Sequence, residues 1–317
     1  MIRWQGGAQK YHIRDWAPDN EKMGKGTTMT EEEIENLKEM LDQMQPKMQY
    51  PDTGTRSGYH KRAGAEGGWP IIYITGDCHG EYTRFSRVHF PEQKEMTKDD
   101  YVIICGDFGY WDDSGEQRYW RKWLTEKSFT LLWVDGNHEN YDMLKRIPAV
   151  SWKGGKAQFI TPSIIRLMRG QVYDIGGVRF FTFGGAASHD IDGGILEPDD
   201  PDFKRKKKEL DRGWKPYRVN HVSWWKEEMP SREEYDEGLG NLAKAGRKVD
   251  FIVSHCAPAH VQDIVTDGLY KHDNLTLYLE SQSQTVSFEK WFFGHYHDNR
   301  NVLDKYVMLY EQIIRIV

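Results

Sequence analysis

At 317 residues and 37.2 kDa the chain can hold one large domain or two small ones, and 38% hydrophobic residues give it a globular composition. A net charge of −6 gives no overall reason to expect nucleic acid or an anionic membrane as partner, and no stretch reaches the ~20 apolar residues of a membrane span or the core of a signal peptide. Three cysteines, Cys78, Cys105 and Cys256, are odd in number and far apart, which argues against a disulfide framework and for a reducing, cytoplasmic setting.

Residues 1–68 read as a polar arm, with glycine and charge concentrated at 61–68, ahead of a domain over 69–317. Within the arm, TEEEIENLKEMLDQMQ (30–45) sets Ile34, Leu37, Met40, Leu41 and Met44 at helical spacing, with Thr28 or Thr30 as N-cap. That predicts one short amphipathic helix. From residue 71 the pattern changes to short apolar runs separated by polar, helix-capable stretches. IIYIT (71–75), YVIIC (101–105) and TLLWV (130–134) come first. A hairpin-like segment (172–185), DFIVS (250–254), KWFFG (290–294) and the closing VMLYEQIIRIV (307–317) follow. Residues 220–246 and 275–284 read as amphipathic helices. The basic run Lys204 to Lys208 is flanked by Asp199, Asp200, Asp202, Glu209 and Asp211, and reads as a solvated face rather than an RNA patch. Strand, loop, helix and strand again predicts an α/β fold.

The chemistry sits just after the apolar runs. The first is followed by Gly76-Asp77-Cys78-His79-Gly80, the second by Gly106-Asp107, the third by Asp135-Gly136-Asn137-His138-Glu139. DFIVS is followed by His255, and KWFF by Gly294-His295-Tyr296-His297. In an open α/β sheet the ligand crevice lies outside the carboxyl ends of the strands, so these side chains should meet at one rim. The preceding glycines allow sharp turns there. His295 and His297, two apart in an extended segment, would point to one side and converge on a metal ion. Carboxylate and imidazole without thiolate suit Mn, Fe, Zn, Ni or Co. Cys78 and Cys256 alternate away from that side and read as core residues.

This series of GDxH, GD, GNH, a lone His and GHxH resembles the calcineurin-like metallophosphoesterase superfamily, from residue 71 to about 315. The resemblance implies a four-layer α/β/β/α sandwich with a dinuclear metal site at the strand C-terminal ends. It implies that Asp77, His79 and His297 hold one transition-metal ion, that Asn137, His255 and His295 hold the second, and that Asp107 bridges the two. It further implies hydrolysis of a phosphate ester by a metal-bridging hydroxide, with His138 protonating the leaving oxygen. Glu139 either favours the N-terminus of a following helix or supports the site from behind.

The sequence departs from the Ser/Thr protein phosphatases and diadenosine tetraphosphate hydrolases that share GDxHG and GNHE. Both phosphate-clamping arginines of those enzymes are absent, and Tyr110 stands where an aspartate would orient the catalytic histidine. Asp112, Asp113 or Asp135 is left for that orientation, and Arg166, Arg169 and Lys153 are replacement clamps to be placed. Tyr110 and Trp111 are set either to stack on a base or to pack in the core. His189, after a glycine-rich turn, is a weaker candidate for substrate contact. These features favour a small phosphodiester or nucleotide, with a phosphomonoester open. The alternatives are a Ser/Thr protein phosphatase and a non-catalytic scaffold of the same fold.

Overall fold

The structure, a computed structural model, describes residues 10–16, 23–30 and 69–317. The chain divides into two units, Met1–Lys61 and Arg62–Val317. In the first, strands β1 (Lys10–Trp16) and β2 (Met23–Thr30) pair antiparallel, Lys10 opposite Thr30. Thr28 and Thr30, expected as helix caps, belong to β2; the expected helix beyond them lies outside the described residues.

In the second unit, β3 (Ile72–Thr75), β4 (Tyr101–Ile104), β5 (Thr130–Trp133) and β8 (Ile164–Leu167) run parallel in that order. The antiparallel strands β17 (Ile314–Arg315) and β7 (Gly155–Thr161) with β6 (Ala149–Trp152) complete a seven-stranded sheet. A six-stranded sheet has the order β15 (Arg300–Val302), β16 (Tyr306–Met308), β14 (Lys290–Phe293), β13 (Phe251–Ser254), β10 (Val178–Phe183) and β9 (Gln171–Ile175). Its four middle strands, β16 to β10, are parallel.

Alternation along these strands builds the layers. Ile72, Ile74, Ile103 and Leu132 of the first sheet pack on Val178, Phe180, Phe251 and Phe292 of the second. Tyr73, Val102, Ile104 and Trp133 face the other way, onto Phe85 and onto Leu124 of the helix Gly115–Thr125. Phe181, Phe183, Ile252 and Trp291 face helices Arg232–Lys244, Ala259–Thr266 and Asn274–Thr285 through Leu242, Val261 and Leu275. The result is the expected α/β/β/α sandwich. Strands buried on both faces need apolar residues throughout, which is why they read as unbroken runs.

The helix expected over 220–246 is half that length. Pro230 ends the preceding segment, and Ser231 starts the helix with a capping box to Glu234. The basic run lies on the helix Phe203–Arg212, which buries none of its residues. All three cysteines are buried and unpaired. Among the described residues, no helix is long and apolar enough to cross a membrane.

Candidate metal centre

Asp77, beyond β3, is fully buried, and its two oxygens accept the backbone N–H of His295 at 3.0 and 3.1 Å. Asp107, beyond β4, is 1% exposed and accepts the backbone N–H of His138 at 2.8 Å. Carboxylates can sit this close to backbone only where glycine removes the side chain. A Cβ on Gly294 would lie 2.0 Å from Asp77 Oδ1, and one on Gly136 would lie 2.0 Å from Asp107 Oδ1. The backbone is also bent where function is expected: His79, Asp107, His295 and His297 all have left-handed φ, 49°, 46°, 70° and 51°. Such residues cost of order 1–3 kcal/mol each and cluster at functional sites. This corrects the extended-strand reading of the last pair. β14 stops at Phe293, and His295 and His297 are aimed by the left-handed turns beyond it.

The side chains then converge. His79 Nε2 lies 3.7 Å from Asp77 Oδ2 and 3.7 Å from Asp107 Oδ2. His297 Nε2 is 3.2 Å from Asp77 Oδ2 and 2.9 Å from His79 Nε2. On the other side, His255 Nε2 is 3.4 Å from Asp107 Oδ2 and 3.2 Å from Asn137 Oδ1. Three sets of groups able to hold a cation have donor atoms within 4.8 Å of one another: Asp77, His79 and His297; Asp77, Asp107 and His255; and His79, Asp107 and His138. The last includes His138, which was expected to donate a proton. His295 comes in from the side of His255, ring centroids 4.9 Å apart, and its Nε2 is 3.1 Å from that of His189.

Electrostatics show what this cluster suits. Burial opposes charge on His255, yet Asp107 and Asp77 together push it up to about 10. Burial alone would raise Asp77, but His255, His297 and His79 hold it well below the usual carboxylate range, and Asp107 behaves alike. Desolvation and the nearby His255 and His189 hold His295 well below its ordinary value. Two buried carboxylates thus rely on protonated imidazole for countercharge, a role a metal cation fills while freeing imidazole nitrogens as ligands. His255 Nδ1 lies 2.8 Å from the carbonyl of Cys105, which can only accept, leaving Nε2 turned to the cluster. The residues fit a metal pair.

Around this centre the other expected residues separate. Glu139 is fully buried and accepts from the N–H groups of Phe108 (2.6 Å) and Tyr110 (2.8 Å), tying the β4 loop to the β5 loop. Trp111 is 42% exposed beside Gly80, and its indole N–H donates to the His138 carbonyl at 3.0 Å. Tyr110 is packed in the core and does not reach the rim. His189 stacks on Tyr270 at 3.7 Å. Arg166 and Arg169 are buried and bound to Asp135, whose second oxygen also accepts from Tyr141. Neither arginine is therefore free to clamp phosphate, and Asp135 is not free to orient His138. Lys153 lies over Tyr101 and Trp152 on the β6–β7 hairpin, and Asp112 and Asp113 bind Ser114 and Arg121 at the surface. Sequence reasoning also missed a chain behind Asn137. Its amide donates to Ser188 Oγ (3.3 Å), which donates to Glu228 Oε2 (2.7 Å). Burial raises Glu228 to about 6. Since those residues lie 51 and 40 positions apart, no local pattern announces them.

The profile of the calcineurin-like phosphoesterase family matches residues 71–299. The chain belongs to this family. The family is one of phosphoesterases that use divalent metal ions, and the Asp and His groups gathered here are candidate ligands for such ions. It is 29% identical over 143 residues to lariat debranching enzyme A of Xenopus laevis, covering 40% of this chain and 26% of that protein. A lariat debranching enzyme of Danio rerio is 27% identical over 143 residues, 40% of this chain and 24% of that one. An uncharacterized protein of Treponema pallidum (strain Nichols) is 51% identical over 43 residues, 14% of this chain and 51% of that one. The chain thus spans about a quarter of the length of the two debranching enzymes it resembles.

Proposed function

We propose that this chain is a cytoplasmic metallophosphoesterase that cleaves a small phosphodiester or nucleotide. Residues 69–317 would be its catalytic domain and 1–68 a separate arm. Asp77, His79 and His297 would hold one ion, Asn137, His255 and His295 the other, and Asp107 would serve both. When bound, such a pair supplies Lewis acidity toward phosphoryl oxygens and lowers the pKa of water toward ~7. The chain's own groups do the rest. The bond from the His138 backbone N–H to Asp107 fixes the main chain there, and the imidazole lies beside the cluster, in reach of a leaving oxygen to which it gives a proton. The tie from Trp111 to the His138 carbonyl holds that loop from outside and leaves an indole face at the rim.

The observation that carries this reading is the convergence of the Asp and His groups around two buried carboxylates. The diester preference is supported by the exposed Trp111, since stacking on a base is worth ~1–3 kcal/mol, and by the engagement of Arg166 and Arg169 with Asp135, which withholds both from a doubly charged monoester. The likeness to two enzymes named for debranching lariats supports the same choice. The test uses protein produced with transition metals and compares kcat/KM for nucleotide diesters, para-nitrophenyl phosphate and phosphopeptides. Nucleotide diesters are expected to lead, and Trp111→Ala to reduce that lead. A phosphopeptide in first place, or nucleotide turnover indifferent to Trp111→Ala, would overturn the substrate choice.

A further inference from the structure

Between β10 and the helix Arg232–Lys244 the chain makes a long excursion that carries none of the motif residues. Its two limbs are zipped together by β11 (Ile195–Leu196) and β12 (Arg218–Val219), which run parallel. Gly193 N–H donates to the Pro216 carbonyl at 2.7 Å, and Arg218 N–H to that of Gly194 at 3.2 Å. This lattice of backbone bonds fixes where Arg218 starts. Its side chain, 19% exposed, reaches back to the metal centre, where Nη2 stops 3.5 Å from His138 Nε2. Asp190, at the opposite end of the same excursion, binds Nε at 2.8 Å and also takes Nη2. Nη1 has no hydrogen-bond partner among the described residues.

We propose that Arg218 is the phosphate-binding arginine of this site and that Asp190 tunes it toward singly charged phosphodiesters. This rests on the phosphoesterase reading above. The gap of 3.5 Å is too long for a good hydrogen bond, and an oxyanion at its mouth accepts from guanidinium and imidazole together. A phosphate whose leaving oxygen faces His138 would direct a non-bridging oxygen at Nη1. The fork is pre-set, because Asp190 already holds its other edge. It is also partly neutralised. A carboxylate on that edge offsets the positive charge, so a dianionic monoester gains less here than from a bare arginine, and a monoanionic diester loses little. A clamp therefore exists, though it comes from the excursion, 80 residues beyond His138 in sequence.

The experiment uses the metal-loaded full chain as wild type, R218A, R218K and D190N. Each is assayed on bis-para-nitrophenyl phosphate and para-nitrophenyl phosphate, and titrated with inorganic phosphate by calorimetry. Losing one charge-assisted contact is expected to raise the diester KM and the phosphate Kd in R218A by about 10- to 100-fold. Metal content and melting temperature stay at wild-type values. R218K recovers part of the loss, since an ammonium lacks the planar fork. D190N shifts the kcat/KM ratio toward the monoester. Unchanged KM and phosphate affinity in R218A, or an unchanged ester ratio in D190N, overturns the proposal. Should R218A lose metal or fold poorly, R218K and D190N decide by the same readouts. A wild type that binds phosphate but turns over neither ester would sink the phosphoesterase reading instead, while the phosphate titration still judges Arg218.

Discussion

His138 can be removed without disturbing the bond that its own backbone makes to Asp107. In His138→Ala that N–H stays, and only the ring is lost. If the ring is the proton donor, both metals remain and kcat falls by roughly 10²–10⁴-fold. The loss should shrink for para-nitrophenolate, a leaving group that needs little protonation. Elemental analysis beside the two rate measurements decides this, because metal loss would make His138 a ligand, as its nearness to His79 and Asp107 allows. Gly294 makes the opposite case, where one added atom should do the damage. Its Cβ would stand 2.0 Å from Asp77 Oδ1 and 2.8 Å from the Cys105 carbonyl, and neither neighbour is the free end of a flexible chain. Gly294→Ala should release the metal and abolish turnover, and an alanine variant with full metal content would refute the close-approach argument.

At the scale of elements, the buried Asp135 joins two of them: β5, which it follows, and β8, through Arg166 on the strand and Arg169 in the turn beyond it. Its carboxyl sits at about 2, because Arg166 and Arg169 outweigh the effect of burial. Asp135→Asn removes a buried charge and leaves two guanidinium groups facing an amide. Breaking a buried ion pair costs about 3–5 kcal/mol, and denaturant unfolding of the metal-loaded protein should show a loss of that size. A loss below 1 kcal/mol, on the order of a surface pair, would mean that water already reaches the cluster. The same arginine shows why some elements were legible and others not. β3, β4, β5, β13 and β14 read directly as apolar runs, since both faces are buried. β8 is equally buried, but Arg166 breaks its run, and its partner Asp135 is 31 residues away. β6 (AVSW) is a four-residue edge strand with its first three residues exposed, too short for its apolar residues to stand out as a run. The proposed metal ligands were legible because each lies just beyond the end of an apolar run. Arg218, Asp190, Ser188 and Glu228 were not, because tertiary packing alone brings the excursion back to the rim.

For the whole second unit, the centre lies where the two sheets meet. The strands of one deliver Asp77, His79, Asp107 and Asn137, and those of the other deliver His255, His295 and His297. Behind these ends the sheets are joined by apolar contact, but at the rim they meet through ionisable and polar groups. Asp77 faces His297 at 3.2 Å and His255 at 3.8 Å, and His79 and His297 bring their nitrogens to 2.9 Å. Cations shared between the sheets would take the place of protons in these contacts and cross-link the two. Binding to the folded state alone adds RT ln(1 + [L]/Kd), about 2.7 kcal/mol at a hundredfold excess over Kd. For a unit of this size that is about 5–10 °C in melting temperature. Stripping the protein with a chelator should lower its Tm by that amount, and adding back a transition metal should restore it, saturating near two ions per chain. Asp107→Asn, which weakens the proposed ligand common to both ions, should abolish most of the response. If Tm is the same with and without metal, the sheets are held by their apolar interface alone and the dinuclear assignment loses its thermodynamic support.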